Sequence, residues 1–120
     1  MVTLSLPFPP SANRLWRTGN GRTYLSPQYR AWKDAALVSY LQQKRDAGQP
    51  IEGTFTYHIV LDEKKRKQAR DGDNRGKGVL DFLQSVGLIV DDKYADAGSW
   101  SWGPCEPGTC FVRLFPKVSK

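Results

Sequence analysis

Histidine is almost missing from this chain. His58 stands alone among 120 residues, beside two cysteines and one methionine. Zinc sites draw their usual ligands from His and Cys, and nucleases built on paired histidines need a second one. Two cysteines do not make a disulfide scaffold. Long hydrophobic runs are missing too: the stretch Val86 to Val90 is already broken by Gly87, so no membrane span is expected. The opening, Met1-Val2-Thr3-Leu4-Ser5-Leu6-Pro7, has neither a basic region nor a long apolar region, so no signal peptide is expected and the default setting is cytosolic. Carboxylates are absent from residues 1–33, which carry Arg14, Arg17, Arg22, Arg30 and Lys33.

What is present describes one domain spanning 1–120 with enough apolar residues (39%, plus 11 glycines) to fold without help. The formal net charge is +6, but it is unevenly laid out. Six of the twelve carboxylates, Asp71, Asp73, Asp81, Asp91, Asp92 and Asp96, fall in one window against Arg75, Lys77 and Lys93. Just before that window, Lys64-Lys65-Arg66-Lys67-Gln68-Ala69-Arg70 holds five positive charges in seven residues. Cations around an acidic island suit a metal-dependent enzyme acting on a polyanion: the cations take phosphates and the carboxylates a metal. A solvated surface of uneven charge fits the same counts.

Alternation and β-branching predict a strand over Thr3 to Phe8, stopped by Pro9-Pro10. Residues 11–21 read as loop and Arg22 to Leu25 as a short strand. Ser26-Pro27 forms an N-cap followed by proline at the first helical position. The helix it starts runs to about Asp46, with Tyr29, Trp32, Ala36 and Tyr40 on one stripe. Thr54 to Leu61 is the strongest strand. Val79, Leu80, Leu83 and Val86 give helical spacing over Asn74 to Val86, and Gly87 takes the C-terminal cap. The last stretch reads as a hairpin of Ser99 to Gly103 with Thr109 to Phe115. The order β-β-α-β-α-β-β implies an α+β fold, a small mixed β-sheet with two α-helices packed on one face.

The chemistry centres on Arg70-Asp71-Gly72-Asp73-Asn74-Arg75-Gly76-Lys77. Asp71 and Asp73, two apart before a helix, can project toward one point if the segment is extended. Asp73 and Lys77 are four apart, one helical turn. Asp91-Asp92 follows the helix and its glycine turn, so the chain returns toward the sheet. Carboxylates without matching His or Cys describe a Mg²⁺ or Mn²⁺ site, and Lys77 is placed to act on a phosphate. The bland alternative makes Asp73 an N-cap and Asp91-Asp92 a turn. Gly-Lys here lacks the spacing and the Ser or Thr of a P-loop.

The run Asp71-Gly72-Asp73-Asn74-Arg75-Gly76-Lys77, then a helix, then Gly87-Leu88-Ile89-Val90-Asp91-Asp92, resembles the RusA family of Holliday junction resolvases. The opening Leu6-Pro7-Phe8-Pro9-Pro10-Ser11-Ala12-Asn13-Arg14 is similar to that family's proline-rich start. The resemblance implies a homodimeric, Mg²⁺-dependent endodeoxyribonuclease acting on four-way, branched DNA. It assigns the essential carboxylates to Asp71, Asp73 and Asp92, with Asp91 adjacent in the metal site, and the essential lysine to Lys77. Two departures stand out: Gly72 occupies a place where relatives commonly carry an apolar residue, and the segment from Trp100 to Cys110 matches no motif. Phosphate contact is expected from Arg14, Arg17, Lys64, Lys65, Arg66, Lys67, Arg70 and Arg75. Trp100, Trp102, Phe111, Phe115 and sheet-edge residues are the expected dimer contacts, though Trp16, Trp100 and Trp102 could also stack on bases. His58 reads as a packed or edge residue, and Cys105 and Cys110 as reduced thiols, with a cross-hairpin disulfide as the alternative. Two rivals share the pattern: a nuclease preferring other branched DNA, and a non-catalytic basic DNA-binding module.

Overall fold

The computed structural model describes residues 1–12, 15–19, 21–66, 72 and 74–117, with 16–18 and 22 as backbone alone. The strands are β1 (Val2–Pro7), β2 (Trp16–Gly19), β3 (Arg22–Leu25), β4 (Phe55–Asp62), β5 (Ala95–Gly103) and β6 (Thr109–Pro116). Helix α1 (Pro27–Ala47) lies between β3 and β4, and α2 (Gly76–Ser85) between β4 and β5. Short 3-10 turns occupy Glu63–Lys65 and Asp92–Tyr94.

Four strands form one mixed sheet in the order β1-β6-β4-β5, with β4 and β5 parallel and the other neighbours antiparallel. The side chains stack in rows across it. Leu6, Cys110, Leu61 and Trp102 make one row; Leu4, Val112, Ile59 and Trp100 make the next; Val2, Leu114, Tyr57 and Gly98 make the third. Their members on β1 and β6, with Leu61 and Ile59 of β4, are buried and Tyr57 is partly so, because strand side chains alternate and this parity faces both helices. Gly98 completes the third row without a side chain. A Cβ there would lie 2.1 Å from the Tyr57 ring, so the ring needs bare backbone beneath it. The opposite parity, including Thr3, Arg113, His58 and Ser99, forms a helix-free face.

Helix α1 begins as its sequence dictates. Ser26 Oγ accepts the Tyr29 N–H at 3.0 Å and Pro27 opens the first turn, a cap worth about 1 kcal/mol. Its buried stripe is Tyr29, Trp32, Ala36, Tyr40 and Ala47. Phe82 of α2 meets Trp32 and Tyr40 edge-on, at 5.8 and 6.4 Å between ring centroids, locking the two helices together. Trp32 Nε1 donates to the Pro7 carbonyl, and the Gln43 amide both accepts from Ser5 N–H and donates to Ser5 O. Helix α1 therefore seals the outer edge of β1.

Two expectations require correction. The expected hairpin does not form: β4 lies between β5 and β6. Helix α2 is the crossover that lets β5 run parallel to β4, and β6 then returns on the far side of β4. The residues read as loop before Arg22 contain β2, paired with β3 through Gly19 and Arg22. Asn20-Gly21 is the two-residue hairpin signal between them. Cys105 and Cys110 are free thiols, and burial pushes Cys110 up to about 12.

Candidate functional site

The sequence places its acidic motif at the amino end of α2, and the structure brackets that end between two walls. Arg75 occupies the N-cap position, two residues beyond Asp73, and its N–H reaches the Gly72 carbonyl at 3.3 Å. The Asn74 carbonyl accepts the Ala12 N–H at 2.8 Å. Arg75 Nη1 donates to the Pro9 carbonyl at 2.6 Å while its guanidinium lies 4.8 Å from the Phe8 ring centroid. The proline-rich start thus forms one wall of the turn. Gly72 abuts Trp100 and Leu61 on the other. Asp71 and Asp73 themselves lie outside the described residues.

Lys77, in the first turn of α2, points its ammonium between two carboxylates. Nζ is 3.1 Å from Asp92 Oδ2 and 3.2 Å from Asp81 Oδ1. The Asp92 hydrogen bond first, and Asp81 second, raise the Lys77 pKa above its ordinary value; in return, Lys77 holds the Asp92 carboxyl below its own. Lys77 is 51% exposed, so this ion pair contributes at most about 1 kcal/mol to stability. Its value lies in leaving a charged cluster open to a ligand. Asp92 starts the 3-10 turn after α2, and Asp91 Oδ1 caps that turn by accepting the Lys93 N–H at 3.0 Å. The turn reading of Asp91 is therefore realised. Among the described residues no three His, Cys, Asp or Glu side chains converge on one point. Asp92 is the described member of the expected carboxylate triad, and its oxygen-only donor chemistry suits Mg²⁺ or Mn²⁺.

Lys64, Lys65 and Arg66 are exposed at the end of β4, in and just after the first 3-10 turn. Arg75, expected on the phosphate-binding surface, is instead half-buried and engaged with Pro9 and Phe8. Arg14, Lys67 and Arg70, with the Arg17 side chain, lie outside the described residues. Trp100 and Trp102 are not free surface aromatics: both pack against the core, because their strand parity faces the helices. His58 sits on the opposite face, between Ser99 Oγ at 2.7 Å and Ser101 Oγ at 2.9 Å.

The contacts of three residues escaped the sequence. That of Asp81 had a local signal, since it stands four residues after Lys77 on one helix face. That of Trp100 had none, because its contact with Gly72 depends on β5 pairing parallel to β4. Asp62, only 2% exposed, accepts N–H bonds from Lys64 and from Gly108, and Gly108 is 46 residues away.

The family described as endodeoxyribonuclease RusA matches residues 7–108. Crossover junction endodeoxyribonuclease RusA of Shigella sonnei is 30% identical over 90 residues, covering 75% of this chain and 72% of its own. The protein of the same name from Escherichia coli K12 gives the same identity and coverage. That of Enterobacteria phage 82 is 30% identical over 89 residues, covering 74% of this chain and 72% of its own.

Proposed function

Because this chain belongs to the RusA family of endodeoxyribonucleases, we propose that it cuts four-way DNA junctions by metal-dependent phosphodiester hydrolysis, working as a homodimer. The observation that carries the reading is Lys77 poised between Asp92 and Asp81 at the head of α2. That lysine and Asp92 occupy the motif positions that the family resemblance assigns to chemistry.

Asp71, Asp73 and Asp92 are the residues that would hold Mg²⁺, with Mn²⁺ as a substitute, and Asp91 sits next to them in sequence. A bound divalent ion supplies a Lewis acid for the phosphate and lowers the pKa of a coordinated water. The protein's own residues do the rest. Lys77 stays protonated because two carboxylates face it, and its ammonium is the group that neutralises charge gathering on the scissile phosphate. Asp81, one turn further along α2, holds that ammonium in position together with Asp92. Lys64, Lys65 and Arg66 offer phosphate contacts outside the reacting centre, together with Arg14, Arg17, Lys67 and Arg70. Two opposed cuts on a four-way junction suit a two-fold dimer, one site per chain.

The test uses a synthetic four-way junction, a flap and a plain duplex with purified protein and Mg²⁺. The parent should cut the junction in preference to both controls. Asp73→Asn and Lys77→Ala should each abolish cutting while leaving junction binding in place; for Asp73→Asn, loss of a negative charge near phosphates favours binding. An Asp73→Asn protein cutting at the parental rate would remove Asp73 from the reacting centre. Preference for the flap would favour a general branched-DNA nuclease. Binding by the parent without metal-dependent cutting would leave a basic DNA-binding module.

A further inference from the structure

The segment carrying Asp71 and Asp73 has a glycine at its centre, an unexpected choice where two carboxylates must be held still. Glycine costs more backbone entropy to order than any other residue. The structure supplies what the glycine lacks. A Cβ placed on Gly72 would lie 2.6 Å from two atoms of the Trp100 indole and 2.9 Å from Leu61 Cδ1, so no larger side chain fits while Trp100 keeps its place. Trp100 in turn meets Trp102 edge-on at 6.0 Å between centroids, and Trp102 stacks on Phe8 at 6.3 Å with the rings 20° apart. Phe8 lies under the Arg75 guanidinium, which also donates to the Pro9 carbonyl.

These contacts close a loop. One end of the turn, Gly72, rests on Trp100, and the other end, Arg75, rests on Phe8, with Trp102 joining the two supports. Ala12 pins the middle through Asn74. Beneath the turn lies a cavity of about 190 Å³ lined by Tyr57, Ile59, Leu61, Gly76 and Trp100 among others. That is room that a side chain on residue 72 could use if the indole were gone.

We infer that Trp100, backed by Trp102 and Phe8, is a positioning residue that holds the backbone at Gly72, the residue between Asp71 and Asp73 in sequence. The inference rests on the reading of those two aspartates as the metal-holding pair. It gives a role to two features that the motif alone left idle, the tryptophan pair of β5 and the proline-rich start. Both serve the acidic turn from opposite sides.

A swap tests it. Trp100→Ala, Gly72→Leu and the double variant Gly72→Leu/Trp100→Ala are compared with the parent. The readouts are junction binding, cutting rate, the Mn²⁺ concentration for half-maximal cutting, and metal-free amide exchange of residues 72–75. Each single variant should bind junction normally but cut about 100-fold more slowly, the scale of loss caused by misplacing reacting groups by about 1 Å. Each should also need more Mn²⁺ and exchange the Arg75 amide faster. In the double variant the leucine takes the vacated space, so cutting and slow exchange should largely return. If Trp100→Ala fails to fold, Trp100→Leu takes its place in the comparison. A Trp100 variant that melts earlier yet cuts at the parental rate below its melting point would overturn the inference, as would a Gly72→Leu protein indistinguishable from the parent. So would a double variant no better than the worse single one. A parent that cuts nothing would instead sink the nuclease reading; the exchange measurement still decides whether Trp100 holds the turn.

Discussion

Asp62 ends β4 with its carboxylate turned inward, and two backbone N–H groups meet it: Lys64 at 3.0 Å and Gly108 at 2.8 Å. The Gly108 bond first and the Lys64 bond second lower its pKa below the ordinary value. A carboxyl whose pKa is lower in the folded chain adds stability above its unfolded pKa, and that stability is lost as pH falls through the folded value. Asp62→Asn should therefore melt earlier than the parent at pH 7. The gap should shrink below about pH 4, where the unfolded carboxyl is already protonated. Thermal melts across that range check it; a gap independent of pH would assign the loss to shape rather than charge. Residues of this kind mark the boundary of what the sequence discloses. Asp62 reads as one more surface charge beside a basic run, because its second partner arrives only through the fold. Asp92 and Lys77 were legible because a short motif carries them, and Asp81 because helical spacing is local.

Helix α1 was legible nearly to the residue, from the Ser26 cap to the turn at Gly48, because capping and 3.6-residue periodicity are written in adjacent positions. Gln43 is half-buried on α1, and its amide does something that periodicity cannot express. It stands in for a neighbouring strand, pairing with both backbone groups of Ser5. An uncovered edge strand is a template for association, and β1 is one edge of this sheet. Gln43→Leu should lower the melting temperature and raise light scattering at high concentration, while Gln42→Leu, an exposed neighbour, should do neither. Equal behaviour of the two variants would show that the β1 edge needs no cover. Apart from the short local strand β2, the error was in pairing, and it fell where partners are distant in sequence. Each of β5 and β6 was recognised as a strand, but a five-residue connection rich in Pro and Gly looks the same whether it closes a hairpin or passes over β4. Pairing was decided by the α2 crossover, whose helix places β5 parallel beside β4.

At the scale of the whole molecule, the proposed function needs two copies, and the exposed apolar side chains lie mostly away from the tryptophans expected to pair them. Trp100 and Trp102 are committed to their own chain. The exposed apolar side chains that share one element are Leu37, Val38 and Leu41 on the outer face of α1, at 42%, 56% and 58% exposure. A two-fold pair is self-complementary, and this helix suits an antiparallel mate: with Leu37 of one copy against Leu41 of the other, Asp34 falls opposite Lys44 twice over. A stable interface takes about 800 Å² from each copy, more than three side chains provide, so Ala31, Asp34, Lys44 and Arg45 must join the contact. Sedimentation at micromolar concentration should show a dimer for the parent and a monomer for Val38→Asp/Leu41→Asp. Because those side chains are already exposed, the variant should keep its fold. On a four-way junction it should nick single strands where the parent makes paired cuts, since each chain retains its own Asp92 and Lys77. A variant that remains dimeric would move the interface elsewhere, with the exposed Phe115 and the helix-free face of the sheet next in line. A parent that is strictly monomeric and still makes paired, symmetric cuts would sink the two-site arrangement itself.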